Sequence, residues 1–110
     1  MTSISIVAGI VLDRGKSAFI TKRRANQTYG GYWEFPGGKV ELGETSESAL
    51  SRELSEELDI RVEEAQHYLT VDWCDAGEKF VLEFFLVLSF SGSPKGAEGQ
   101  LGRWVPIKPL

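Results

Sequence analysis

The chain has 110 residues, 42% of them apolar and 25% charged, the proportions expected of one globular domain over residues 1–110 with a modest core. The lone cysteine, Cys74, excludes an internal disulfide or a cysteine-rich metal centre and makes a reducing cytoplasm the expected setting. A net charge of −4 weighs against nonspecific nucleic-acid binding, but not against a phosphate ligand, because bound cations can invert a local field.

Met1 to Leu12 is apolar without a basic leader and stops at Asp13-Arg14-Gly15-Lys16, so it reads as strand and turn, not as a signal peptide or membrane span. Within it, the β-branched stretch Ser3 to Leu12 predicts a buried strand, and Ser17 to Lys22 is expected to pair with it. Asn26 to Tyr32 reads as a loop around Gly30 and Gly31. Trp33-Glu34-Phe35 is expected to be extended and to be stopped by Pro36-Gly37-Gly38. Thr45 to Leu58 predicts a helix with Thr45 or Ser46 as its N-cap. Gln66 to Cys74 and Lys79 to Phe90 read as strands around the turn Asp75-Ala76-Gly77-Glu78, the nearly all-apolar second one lying centrally in a sheet. Ser91 to Gly99 is loop-like, and Arg103 to Ile107 is a last short strand. The expected fold is α+β, a mixed sheet with at least one helix packed on it.

At about 100° per residue, Leu50, Leu54 and Leu58 form one helix stripe that should face the sheet. Ser48, Ser51 and Ser55 fall on a face that should meet solvent. Glu53, Glu56 and Glu57 share a third arc at the edge of the buried face, where Ala49, one turn earlier, is expected to leave space. Carboxylates at these spacings repel one another, and a divalent cation such as Mg²⁺, which prefers oxygen ligands, would remove that cost. Arg52 is placed to offset part of the charge and to orient Glu53 or Glu44. A solvated acidic face is the plainer alternative, which the serines on the exposed face weaken.

The stretch Gly38-Lys39-Val40-Glu41-Leu42-Gly43-Glu44, then seven residues, then Arg52-Glu53-Leu54-Ser55-Glu56-Glu57-Leu58-Asp59-Ile60 resembles the Nudix box in residue types and spacing. Asp59 stands where that family usually has Gly, at a helix end expected in the left-handed conformation, which Asp enters more readily than most residues. Trp33 to Lys39, Phe19-Ile20-Thr21-Lys22-Arg23, Glu98-Gly99-Gln100 and Trp104 are similar to the MutT branch of the family. The resemblance implies an α/β/α sandwich and a Mg²⁺- or Mn²⁺-dependent pyrophosphohydrolase. That activity would cleave nucleoside triphosphates, 8-oxo-dGTP among them, to monophosphate and pyrophosphate, with a link to DNA repair. It also implies metal ligation by Glu53, Glu56, Glu57, Glu98 and the Gly37 carbonyl. Glu53, Glu98, Arg52 and Glu44 would serve catalysis, and Arg23, Phe35, Gly38 and Lys39 would bind substrate. Family members usually continue past the position of Leu110 into a C-terminal helix that can read the base. The sandwich is therefore expected without that helix, and the base pocket open on that side.

The implied partner is a small nucleotide, with no membrane and no nucleic acid; the sequence does not fix the oligomeric state. Rival readings are a Nudix hydrolase for another nucleoside diphosphate derivative, and a nucleotide-sensing domain that does not cleave. The intact acids weigh against the second. The single histidine, His67, makes no metal site alone and is expected to be structural or exposed, whereas Trp73, Trp104, Tyr68, Phe80, Phe84 and Phe85 are expected mostly in the core.

Overall fold

The computed structural model describes residues 3–14, 16–26 and 30–107. The expectations for Lys108-Pro109-Leu110, for Gly15 and for the middle of the loop from Asn26 to Tyr32 lie outside those residues. In chain order the elements are β1 (Ser3–Asp13), β2 (Ser17–Lys22), β3 (Trp33–Glu34), β4 (Gly37–Lys39), α1 (Ser46–Leu58), β5 (Arg61–Asp75), β6 (Glu78–Ser91) and β7 (Gly102–Pro106). They form one mixed sheet in the order β3-β2-β1-β6-β5, with β4 paired to β1 and β7 to β2. The apolar strand β6 lies inside the sheet, parallel to β1 and antiparallel to β5, as its composition predicts. Ala76 and Gly77 make the β5–β6 turn, both at positive φ (51° and 81°), which matches the right-handed twist of a two-residue hairpin.

Helix α1 starts at Thr45, whose extended backbone (φ −82°, ψ 164°) frees its Oγ1 to accept from the Ser48 N–H at 3.1 Å. Ser48 Oγ in turn accepts from the Thr45 N–H at 3.0 Å, so two otherwise orphaned amides are satisfied together. The helix ends at Asp59, which is left-handed (φ 58°, ψ 41°) as its place in the box predicts. Leu50, Leu54 and Leu58 are essentially inaccessible and pack with Val7, Val11, Phe19, Phe85 and Val87. Burying each such leucine contributes about 2 kcal/mol. Helix and sheet close tightly at Gly9, where an added Cβ would stand 2.9 Å from Leu54 Cδ1. The N-terminus of the helix is tied to the sheet by Ser46 Oγ donating to Glu83 Oε1 at 2.5 Å.

Four expectations need correction. Pro36-Gly37-Gly38 does not end the extended segment, because Gly37–Lys39 continues as β4 on β1. Strand β5 begins five residues earlier than Gln66, at Arg61; register shifts at Val62/Glu64, Glu64/Ala65 and His67/Leu69 break the alternation that would have revealed it. Ala49 leaves no space beside the acids, since it is fully buried in the core. Of the aromatic residues assigned to the core, Phe85 is buried, but Tyr68 (61%), Trp73 (40%) and Trp104 (37%) are substantially exposed. The physical reason is position: Tyr68 and Trp73 lie on β5, a sheet edge exposed on both faces from Gln66 to Asp75, and Trp104 lies on β7, which pairs with β2. Trp73 instead stacks on its cross-strand partner Phe80 at 5.3 Å, and Trp104 packs edge-on against Phe19 at 5.3 Å.

Candidate functional site

Two glycines let the acidic face of α1 dock onto the sheet. At Gly37 the N–H donates to Glu57 Oε2 at 2.8 Å, so the strand backbone holds that carboxylate directly. At Gly38 an added Cβ would lie 2.5 Å from the Glu53 carboxyl carbon, so only glycine leaves room for that side chain. Strand β4 itself is fixed by pairing with β1 and by the Gly9 N–H donating to the Pro36 carbonyl at 2.8 Å.

Arg52 organises the carboxylates on the other side. Its Nε and Nη2 fork onto Glu44 at 2.7 and 2.9 Å, and Nη1 reaches Glu53 at 2.9 Å and Glu56 at 3.1 Å. Nη2 also donates to the Lys39 carbonyl at 3.1 Å, linking the helix to the residue that follows Gly38. The bonds from Arg52 and from the Glu41 N–H hold the Glu44 carboxyl down at about 2. Glu44 and Arg52 are therefore a clamp that positions Glu53 and the loop before α1. Glu56, at 52% side-chain exposure, is further from the buried edge than the helical wheel suggests for the acids as a group.

Glu57 is the most perturbed acid. Burial pushes its carboxyl up to about 8, the Gly37 N–H opposes this, and the charges of Glu53, Glu98 and Glu34 add to the rise. Burial also raises Glu53, against the lowering effect of Arg52. A hollow lined by Glu57, Glu98, Glu34, Thr21, Lys22, Arg23, Arg24 and Gln100 lies at this end of α1. Arg23 Nη1 sits 3.1 Å from Glu34 Oε2 within it. A neighbouring hollow of about 510 Å³ is bounded by Phe35, Phe84, Trp73, Leu82, Ile6, Gly37 and Gly38, and shares Arg23 and Glu34 with the acidic one. Phe35 meets Phe84 edge-on at 6.2 Å there, half-buried and still lining the cavity.

The structure thus brings Glu57, Glu98 and Arg23 to one hollow, with Glu53 within electrostatic reach, and puts Phe35, Gly37 and Gly38 beside the apolar one. Lys39 is exposed and borders a third hollow with Tyr32, Phe80 and Ile6. Sequence reasoning missed Glu34, Lys22, Arg24 and Gln100. Glu34 and Lys22 reach the site through the β2–β3 register (Thr21↔Glu34, Lys22↔Trp33), which leaves no local pattern in the chain. Gln100 stands inside the Glu98-Gly99-Gln100 stretch, and its polar side chain two residues after a candidate acid was the available signal.

The donor set suits a divalent cation: oxygen ligands only, carboxylates on Glu53, Glu56, Glu57 and Glu98, and a buried carboxyl held near neutrality that a cation would return to its charged form. Among the described residues no three such side chains already converge as a metal cluster, because Glu53 and Glu56 turn toward Arg52 and Glu57 toward Gly37. No helix among those residues is long and apolar enough to cross a membrane.

A family model described as NUDIX domain matches residues 3–110. The chain is 36% identical over 107 residues to the 8-oxo-dGTP diphosphatase of Escherichia coli K12, covering 97% of this chain and 83% of that protein. It is 35% identical over 104 residues to the CTP pyrophosphohydrolase of the same organism, covering 94% and 76%. A solved structure from work on MutT of Aliivibrio salmonicida and Vibrio cholerae superposes with a TM-score of 0.86 at 47% identity, covering 96% of this chain and 81% of that one.

Proposed function

Because the chain belongs to the Nudix family, as a hydrolase of its MutT branch, we propose that residues 1–110 form one catalytic domain that cleaves nucleoside triphosphates to monophosphate and pyrophosphate. We include 8-oxo-dGTP among its substrates. The observation that carries this reading is the buried Glu57 carboxyl, pinned by the Gly37 N–H and surrounded by Glu53, Glu98 and Glu34. A buried carboxyl among other acids is costly to charge, and a cation with phosphates would remove that cost.

Members of this family generally use divalent metal ions, and here we assign Mg²⁺, with Mn²⁺ as the substitute. When bound, the ion would neutralise phosphate oxygens and lower the pKa of the attacking water. Glu53, Glu56 and Glu57 would hold it, together with Glu98 and the Gly37 carbonyl. Glu53 or Glu98 would take the water proton. Arg52, gripped by Glu44, would keep Glu53 aimed past Gly38. Arg23 and Lys39 would contact the phosphate chain, and Phe35 would pack against the base in the apolar hollow. We place the protein in a reducing cytoplasm, where the exposed Cys74 thiol would stay reduced.

Base identity is a separate question, since two relatives of nearly equal identity, 36% and 35%, carry names that specify different bases. The hollow is walled chiefly by Phe35, Phe84, Trp73, Leu82 and Ile6, which contact any base without reading its edge, while its charged lining, Arg23 and Glu34, is paired with itself at 3.1 Å. Large discrimination needs buried polar groups that a wrong base leaves unpaired. We therefore expect kcat/KM values for 8-oxo-dGTP, dGTP, dATP, dCTP and dTTP to agree within about a thousandfold. Pyrophosphate and orthophosphate should be read separately at one Mg²⁺ concentration. Release of orthophosphate alone would overturn the pyrophosphohydrolase reading, and a larger preference would show that polar groups of the hollow read the base.

A further inference from the structure

We propose that Gln100 is a positioning residue that fixes Glu98 over the acidic hollow; this rests on the reading of Glu98 as a carboxylate that acts there. Glu98 starts from a weak position. It is exposed, and it precedes Gly99, whose backbone at φ 89° has the freedom of glycine. An untethered residue in such a turn would sample many orientations, and ordering its backbone carries an entropic cost. A proton acceptor or metal ligand at this position needs a restraint.

The restraint is visible on both sides of the Glu98 backbone. Gln100 Oε1 accepts from the Glu98 N–H at 3.0 Å, and Gln100 Nε2 reaches the Glu57 carbonyl at 3.5 Å. One side-chain amide thus bridges Glu98 to the helix end that carries the most perturbed acid. From the opposite side Arg24 Nη1 donates to the Glu98 carbonyl at 3.0 Å. The turn is closed by the Gly99 N–H donating to the Gly96 carbonyl at 3.2 Å. The preceding residues dock on the same helix end, with Ala97 N–H on the Glu57 carbonyl at 2.8 Å and Lys95 N–H on the Leu58 carbonyl at 3.2 Å. Those two bonds satisfy carbonyls that every helix C-terminus leaves open, so they anchor the loop without orienting Glu98. Gln100 and Arg24 hold the Glu98 backbone itself, at its N–H and at its carbonyl. Glu98 lines the acidic hollow from this anchored turn, and its charge is felt at both Glu53 and Glu57. Gln100 also lines the hollow itself, on the side of Lys22 and Arg24.

The test is a double-mutant cycle with Gln100→Met, which keeps length and removes the amide, and Glu98→Gln, read on the best triphosphate of the panel with Mg²⁺. Gln100→Met is expected to lower kcat about tenfold with KM changed less than about twofold, the mark of a misplaced catalytic group. In the Glu98→Gln background the same change should cost less than about twofold, because the two residues act as one unit. Gln100→Leu, which also removes the amide, is a second variant if Gln100→Met folds poorly, and its loss of kcat should likewise depend on Glu98. Equal losses in the two backgrounds, or no loss with Glu98 intact, would overturn the proposal while leaving Glu98 in place. Normal kcat in Glu98→Gln itself would instead remove the role of Glu98, and the proposal with it.

Discussion

Replacing Glu57 by Gln is expected to stabilise the metal-free protein at alkaline pH while it removes turnover. The carboxyl sits at about 8 in the folded chain against 4.5 for the free group, chiefly because it is buried. The folded state therefore holds this proton more tightly than the unfolded chain does. The resulting contribution to stability is complete below about pH 4.5 and is lost as the pH rises through about 8. At about 1.36 kcal/mol per pKa unit, the loss between about pH 5 and about pH 9 has an upper bound of about 4 kcal/mol. Solvent relaxation around a partly buried group reduces this to about 1–3 kcal/mol, still a large share of the roughly 5–15 kcal/mol typical of a domain. Gln keeps an oxygen to accept from the Gly37 N–H and carries no charge, so the variant escapes the alkaline loss. Unfolding in EDTA at about pH 5, 7 and 9 should show the variant gaining on the parent at each step. With Mg²⁺ the parent should recover by mass action and the variant should not. Turnover of the variant should fall by at least about two orders of magnitude. A stability difference that does not change with pH, or a parent more stable than the variant at about pH 9 in EDTA, would refute the reasoning.

Gly38→Ala is expected to lower kcat at least about tenfold with little change in melting temperature, because its Cβ would displace the Glu53 carboxylate, 2.5 Å away, and not a core side chain; kinetics and a thermal melt on one preparation check both halves. Asp59→Gly should be neutral or stabilising by up to about 1 kcal/mol, since glycine enters φ 58°, ψ 41° freely. The ion pair lost there, Asp59 to Lys95 at 3.5 Å, joins groups about two-thirds exposed and contributes little. A clear drop in the melting temperature of Asp59→Gly would show that the aspartate side chain does more than cap.

Features under the control of local periodicity are legible in the amino-acid sequence itself. The Thr45 cap, the leucine stripe and the reach of Arg52 to Glu53 follow from residues a few positions apart, whereas the left-handed Asp59 is legible through its place in the box. Strand pairing across long separations is silent in the sequence. Glu34 meets Arg23 only because β3 lies beside β2, and Gln100 reaches Glu57 only because the loop after β6 folds back on α1. The bulges of β5 hide its first five residues, and aromatic residues such as Trp73 look like core until the strand proves to be an edge. Glu56 and Ala49 separate within one helical arc because a wheel averages over side chains whose neighbours differ.

The parallel pairing of β1 with β6 also sets an order of assembly. Each residue from Ser3 to Val11 pairs with one 76 positions later, so the central contact of the sheet closes a long loop. Contacts of such separation are characteristic of chains that fold in milliseconds to seconds, well after local helices form. Helix α1 lies wholly inside that loop, together with the glycines that receive it. A nascent chain grown only as far as Asp75 would hold every box acid and Arg52, yet β1 would still lack the parallel neighbour that completes the sheet under α1. The box acids are encoded early in synthesis, and the hollow that Glu57 shares with Glu98 needs the rest of the chain before it can close.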